Sequence, residues 1–243
     1  TILIVFIAIN IFSPSALSVH FINVGQGDCI LIKIPQNKII LIDGGGTPFN
    51  DFDVGKNIVI PYLRKEGIKK IDIVFLTHPD LDHLEGLLPI LKEIKVKTVI
   101  DNGNFYDNTI FKEYISIIRN KKIFHYQTNF DDIIKINSSA ELFVLNPTKT
   151  DNKNNETDFN NNSIVLKLKY KDARFLFTGD IEKEAEFKIL DLNIPIKSDI
   201  LKVAHHGSNS STADLFLEQV NPKVAIISVG SNTFGHPHEN VLN

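Results

Sequence analysis

Apolar positions fall in short β-branched runs along most of the chain, and the polar breaks between them are rich in Gly, Pro, Asn and Asp. Residues 19–23, 29–34 and 38–42 are three such runs, separated by G-Q-G-D and P-Q-N, both turn signals, so a meander is expected to feed a sheet. Residues 58–65 have helical spacing, and the run I-D-I-V-F-L-T at 71–77 reads as a buried strand. Helix, strand and helix are expected next, over 86–92, 98–101 and 109–120. Strands then dominate again at 133–136, 141–145, 163–170 and 173–178, interrupted by the Asn-rich stretch 148–162, which reads as an exposed loop. The last third alternates: helix 181–190, strand 200–204, helix 213–220, strand 224–229. Strand-rich halves that each close in helices predict an α/β (α+β) fold of two packed sheets with helices outside, a four-layer αββα sandwich.

The first twelve residues, T-I-L-I-V-F-I-A-I-N-I-F, break this pattern, being almost wholly apolar and followed by S-P-S-A-L-S. They are too few to cross a bilayer, which takes about 20. They suit the end of a membrane helix or the apolar region of a signal peptide, against the plainer reading of a buried first strand. Residues 1–18 are therefore set apart as an apolar leader and 19–243 as one domain. The chain begins at Thr1 and holds no Met, so it is read as a piece of a longer product or a processed form, with a closing helix expected beyond residue 243.

At 243 residues and 43% hydrophobic, the chain can bury a substantial core without disulfides, and the single cysteine, Cys29, lies in the apolar run C-I-L-I as a small buried hydrophobe. A net charge of -3 supplies no global positive field for duplex DNA. Lysines cluster only locally, at Lys69 and Lys70, Lys121 and Lys122, and Lys167, Lys169 and Lys171.

Chemistry concentrates where apolar strands end. The segment T-H-P-D-L-D-H-L-E-G places His78, Asp80, Asp82 and His83 within six positions directly after the strand at 71–77. Pro79 biases His78 toward an extended backbone, and in an extended loop residues at i, i+2 and i+4 point the same way. Imidazoles and carboxylates are ligand types for zinc, manganese and iron, and burying four of them unpaired would be costly. The plain alternative is a polar surface loop. F-L-F-T-G-D ends a second apolar strand on Asp180, and D-I-L-K-V-A-H-H-G-S ends a third on His205 and His206. Strands delivering His and Asp at their carboxyl ends suit a site in the crevice beyond a sheet edge.

The order H-x-D-x-D-H, T-G-D, H-H-G-S resembles the metallo-β-lactamase superfamily. The opening V-H-F-I-N-V-G-Q-G-D-C-I-L-I, the I-D-G-G-G at 42–46 and the closing V-A-I-I-S-V-G-S-N-T-F-G-H-P-H resemble, more narrowly, the extracytoplasmic hydrolase domain of the ComEC family of bacterial competence DNA-uptake channel proteins. That resemblance covers most of 19–243. It implies one or two divalent cations held by His78, Asp80, Asp82, His83, Asp180 as a bridging carboxylate, and His205 as the late ligand. His206 is left as a neighbour without a separate role. Asp28 and Asp43 match acidic positions near the site that orient a ligand or a turn, and Gly44 to Gly46 allow a tight turn. Of the two histidines in G-H-P-H, His236 or His238 is implied as the proton donor or substrate contact. On spacing alone both fit a surface loop equally well.

Two departures from the lactamase pattern shift the expected chemistry. Asp80 stands where a lactamase has His, and where lactamases place a further His, the chain offers N-N-N-S, with Asn162 and Ser163. Replacing imidazole by carboxylate hardens the site, so manganese becomes as suitable as zinc. Three carboxylates against two divalent cations leave a formal +1, which attracts an anionic phosphodiester. The reading is a metal-dependent hydrolase in which a metal-activated water, beside Asp82 and Asp180, attacks a phosphodiester, DNA by resemblance. The setting implied is extracytoplasmic, tied to a membrane through the leader or a longer parent protein. Two rivals stand beside it: a freestanding secreted or tethered hydrolase of small phosphoesters or other esters, and a non-catalytic docking module of a membrane channel.

Overall fold

The computed structural model describes residues 16–47, 52–148 and 158–243. The apolar run 1–12 and most of the Asn-rich stretch lie outside the described residues. Among those described, twelve strands form two six-stranded sheets, each following chain order.

The first sheet runs β1 (Ser18–Phe21), β2 (Ile30–Ile34), β3 (Lys38–Ile42), β4 (Lys70–Phe75), β5 (Lys95–Asp101) and β6 (Phe124–Gln127). Its first three strands pair antiparallel, and β3 to β6 run parallel. The second sheet holds β7 (Ile133–Asn137), β8 (Ala140–Asn146), β9 (Val165–Tyr170), β10 (Ala173–Phe177), β11 (Ile200–Lys202) and β12 (Val224–Ile226), of which β10 to β12 run parallel.

Period-two alternation decides how the layers stack. Ile30, Ile32 and Ile34 of β2 and Ile40 and Ile42 of β3 pack with Leu166 and Leu168 of β9 and Phe175 and Phe177 of β10, forming the core between the sheets. The intervening Leu31 and Leu41 face outward. There they meet α1 (Ile60–Lys65), entered through a π-helical turn (Gly55–Val59), α3 (Leu87–Glu93) and α4 (Thr109–Asn120). On the far side, Val165 and Leu176 pack against α5 (Lys183–Asp191) and α6 (Asp214–Val220). Three apolar layers between four layers of structure are the expected αββα sandwich. Each fully buried Leu, Ile or Phe in them contributes about 1.5–3 kcal/mol of transfer free energy.

Most expected elements form within a few residues of their predicted ends. Two differ. The F-H-Y-Q strand β6 was not expected, because an edge strand that is mostly exposed has no alternation to betray it. The segment after Pro79 is not extended throughout: Asp80 is extended, but Leu81–Leu84 form a helical turn, α2. Asp82 and His83 are therefore aimed by a helix and not by the period of a strand. A short last helix, α7, spans Glu239–Leu242.

The parallel strands of both sheets bring their carboxyl ends to one crevice. Asp43 follows β3, His78 follows β4, Asp180 follows β10, and the 3-10 turn Ala204–Gly207 follows β11. The sheets are tied there by Ile164 N–H donating to Thr77 O at 3.0 Å. Close approach of backbones fixes a glycine: a Cβ on Gly27, whose φ is +119°, would lie 2.2 Å from Asp82 O.

Candidate metal centre

Three imidazoles point one nitrogen each into the crevice. His78, His83 and His206 are all buried, and their Nε2 atoms have no hydrogen-bond partner among the described residues. Their other nitrogens are committed. His83 Nδ1 donates to Asp43 Oδ2 at 2.9 Å. His78 Nδ1 donates to Thr77 Oγ1 at 3.1 Å, and that hydroxyl donates on to Asp43 Oδ2 at 2.7 Å. His206 Nδ1 donates to Ser228 O at 2.8 Å. This network commits Nδ1 of each ring to a neighbour and leaves Nε2 as the nitrogen aimed inward.

Carboxylate oxygens complete the cluster. Asp180 Oδ2 lies 3.0 Å from His206 Nε2 and 3.3 Å from His83 Nε2, and Asp82 Oδ2 lies 3.2 Å from His206 Nε2. Such separations match the edges of a coordination polyhedron: with metal–ligand bonds of about 2.1 Å, an octahedral edge is roughly 3.0 Å and a tetrahedral one roughly 3.4 Å. The orphaned Nε2 atoms and these edges fit a divalent cation. On the other side of Asp180 the spacing is looser, with His78 Nε2 4.0 Å from Asp180 Oδ2 and 3.8 Å from Asp80 Oδ2. Asp80 is the open member, its side chain 43% exposed.

The electrostatics follow the geometry. Burial alone would lower the His83 and His206 imidazoles, but the charge of Asp180 on both, with Asp43 beside His83, outweighs it. His83 is raised well above the ordinary range and His206 to about 9. Burial would raise Asp82, yet the His206 imidazole 3.2 Å away and the charge of His83 hold it at about 2. Asp180 is likewise held well below its usual range against burial by His206, His83 and Lys202. His78 has the opposite fate, lowered to about 4 by burial and by His83. The carboxylates thus give His83 and His206 a high affinity for a cation, proton or metal.

Sequence expectation and structure part company at the H-H-G-S motif. His206 places its Nε2 at the centre, while His205, expected as the late ligand, is turned aside, with Nδ1 3.3 Å from Glu182 Oε1 and its ring centroid 5.4 Å from that of His236. The backbone decides this: His205 and His206 both have left-handed φ, 47° and 54°, so adjacent side chains diverge sharply. His236 stays at the rim, its Nδ1 buried without a hydrogen-bond partner among the described residues, and burial lowers its pKa. His238 is not brought in; its Nδ1 accepts from Asn240 N–H at 3.2 Å and caps α7. Ser163 Oγ accepts from Asp180 N–H at 3.2 Å, and Asn162 O accepts from Asn102 Nδ2 at 3.0 Å. The N-N-N-S segment therefore props Asp180 from behind.

A lysine joins the cluster that nothing in the spacing of the motifs points to. Lys202 is fully buried on β11, its Nζ 3.4 Å from Asp180 Oδ1 and ion-paired with Asp28 Oδ2. Asp28 thus serves a lysine and not a histidine. A lysine inside I-L-K-V-A reads from sequence as the exposed position of an alternating strand.

A profile of the metallo-beta-lactamase superfamily matches residues 22–231. The chain belongs to the metallo-β-lactamase superfamily. Among solved members, the metallo-beta-lactamase fold protein YhfI from Bacillus subtilis superposes with a TM-score of 0.56 at 11% identity, over 94% of this chain and 91% of that one. Igni18, a metallo hydrolase from Ignicoccus hospitalis, gives 0.52 at 15% identity, over 90% and 84%. At these identities the likeness shows the superfamily fold alone. In sequence the chain is 35% identical to ComE operon protein 3 of Bacillus subtilis over 236 residues, 92% of this chain but 30% of that protein. It is 30% identical to Recombination protein 2 of Haemophilus influenzae, over 95% of this chain and 26% of that protein. Competence protein ComA of Neisseria gonorrhoeae is 28% identical, over 90% and 28%. The chain thus spans under a third of the length of these ComEC-type relatives, and its place in the superfamily is that of a ComEC-like domain with a buried His/Asp cluster.

Proposed function

We propose that this domain is a metal-dependent phosphodiesterase acting on DNA outside the cytoplasm, as part of a longer, membrane-attached protein. The observation that carries the reading is the convergence of His78, His83 and His206 Nε2 on Asp180 Oδ2, with Asp82 Oδ2 against His206. Such a set is built to hold divalent cations, which supply water activation and charge on a phosphoryl oxygen.

Within it, Asp82, His83, His206 and Asp180 would hold one cation, and His78, Asp80 and Asp180 the other. The second set, with one imidazole against two carboxylates, suits manganese as well as zinc. Asp43, Thr77 and Ser228 keep the rings aimed, and His236 would meet the leaving oxygen from the rim. An intact ligand set of this kind argues against a purely docking role.

Two observations support a polymeric anion. The relatives include proteins named for competence and for recombination. Beside the carboxyl end of β5, a cavity of about 610 Å³ between α4 and β6 is lined by Arg119 and Lys122, cations that can follow a phosphate chain. The membrane attachment rests on the apolar run 1–12 and the greater length of the relatives; among the described residues no helix is long and apolar enough to cross a membrane.

Purified protein assayed with manganese and with zinc on single-stranded DNA and on bis(p-nitrophenyl) phosphate tests this, with Asp82→Ala/His83→Ala as control. Metal-dependent cleavage of DNA, abolished in the control, is the expected result. Failure to take up either metal would sink the enzyme reading. Cleavage of the small diester alone would favour a freestanding hydrolase.

A further inference from the structure

Asp180 is gripped at both of its oxygens by groups of different kinds. Oδ2 faces the three histidine nitrogens, at 3.0 Å from His206, 3.3 Å from His83 and 4.0 Å from His78. Oδ1 lies 3.4 Å from Lys202 Nζ. That ammonium is pinned from two further sides, donating to Gly179 O at 3.0 Å and pairing with Asp28 Oδ2. Lys202 lies on β11, hydrogen-bonded between β10 and β12, and its side chain is fully buried.

We infer that Lys202 is a positioning residue that reserves a single oxygen of Asp180, Oδ2, for both cations. A carboxylate with two free oxygens can chelate one cation with both or give one oxygen to each of two. With Oδ1 tied to a buried ammonium, neither is available, and any two cations at the centre must share Oδ2. Two cations that shared one oxygen would be held close enough to act on one phosphate, which in two-metal sites takes a separation of about 3.5–4 Å. Lys202 also balances charge. Asp28 Oδ1 is already buried without a partner, and removing the ammonium would leave two carboxylates uncompensated beside the centre.

The inference rests on the metal-binding reading above, and the test separates the two. The whole chain is titrated with manganese, counting bound equivalents directly and recording low-temperature electron paramagnetic resonance, whose lines report exchange coupling between neighbouring ions. Lys202→Met keeps the stem and removes the charge. Lys202→Met/Asp28→Asn removes a carboxylate as well, so that a folded variant remains if the single one does not fold. The wild type is expected to bind two equivalents with a coupled spectrum. In the variants the first equivalent should bind within about 3-fold of wild type, the second at least about 10-fold more weakly, with the coupling lost. Variants that keep both second-site affinity and coupling would overturn the inference. So would a wild type that binds one equivalent, or two without coupling, and each of these leaves the metal-binding reading standing. A wild type that binds no manganese or zinc defeats that reading itself.

Discussion

Asp43 Oδ2 accepts a 2.9 Å hydrogen bond from His83 Nδ1, and neither side chain is exposed to solvent. The same carboxylate takes Thr77 Oγ1–H at 2.7 Å on Oδ2 and Thr77 N–H at 2.8 Å on Oδ1. One residue at the end of β3 therefore orients His83 directly and His78 through a hydroxyl. Asp43 reaches this point from a left-handed backbone, φ 58°, which Asp tolerates better than most residues.

Because partners of this kind fix ring orientation, Asp43→Asn should weaken manganese binding by about 10- to 100-fold while leaving the fold intact. Calorimetric titration of variant and wild type measures it. Unchanged affinity would show that Asp43 matters to the turn alone.

The neighbouring histidines should separate cleanly. His206→Ala removes an Nε2 lying 3.0 Å from Asp180 and is expected to lower cation affinity by more than about 100-fold. His205→Ala should change it by less than about 3-fold, since His205 faces Glu182. The reverse order in equilibrium dialysis would refute the arrangement at H-H-G-S.

Cation binding should release protons in a predictable window. Without a metal, His206 is raised to about 9, so at pH 7 its Nε2 is protonated and must lose that proton to a cation. Affinity is therefore expected to rise with pH through about 9, by as much as about 10-fold per unit for each proton displaced, His83 being raised as well. His78, lowered to about 4, is already neutral and contributes nothing to that slope. Titrations in buffers of different ionisation enthalpy count the protons.

A buried carboxyl far from the centre sets a second pH dependence. Glu186 on α5 accepts from Thr212 N–H at 2.6 Å and Ala213 N–H at 2.7 Å, at the start of α6. Burial nevertheless raises it to about 7, the bonds from Ala213 and Thr212 opposing. A raised carboxyl contributes stability that is full below its unfolded pKa, near 4.5, and is lost as pH rises through about 7. Relative to Glu186→Gln, the wild type should lose up to about 3 kcal/mol over that span. Urea melts of both proteins at pH 4.5, 6 and 8 read the difference, and parallel profiles would show that Glu186 titrates normally.

Local sequence determined a large part of this protein. Alternating β-branched runs such as I-L-I-K-I and K-I-I-L-I each commit one face to the core between the sheets and the other to the helices, so both sheets were legible before any contact was known. The ligand-rich ends T-H-P-D-L-D-H, T-G-D and H-H-G-S were legible too, because polar residues that follow apolar strands cannot all be buried without partners.

What only the tertiary structure decided is direction and pairing. Two adjacent histidines are alike in sequence, and consecutive left-handed φ angles choose His206 over His205. His238 reads as a site residue until its ring is found capping α7. Lys202 reads as an exposed strand position until β11 is placed between two neighbours and Asp28, Gly179 and Asp180 arrive from two other segments. Periodicity records which face of an element is buried. Which charges meet there depends on loops distant in the chain, and that is a property of packing.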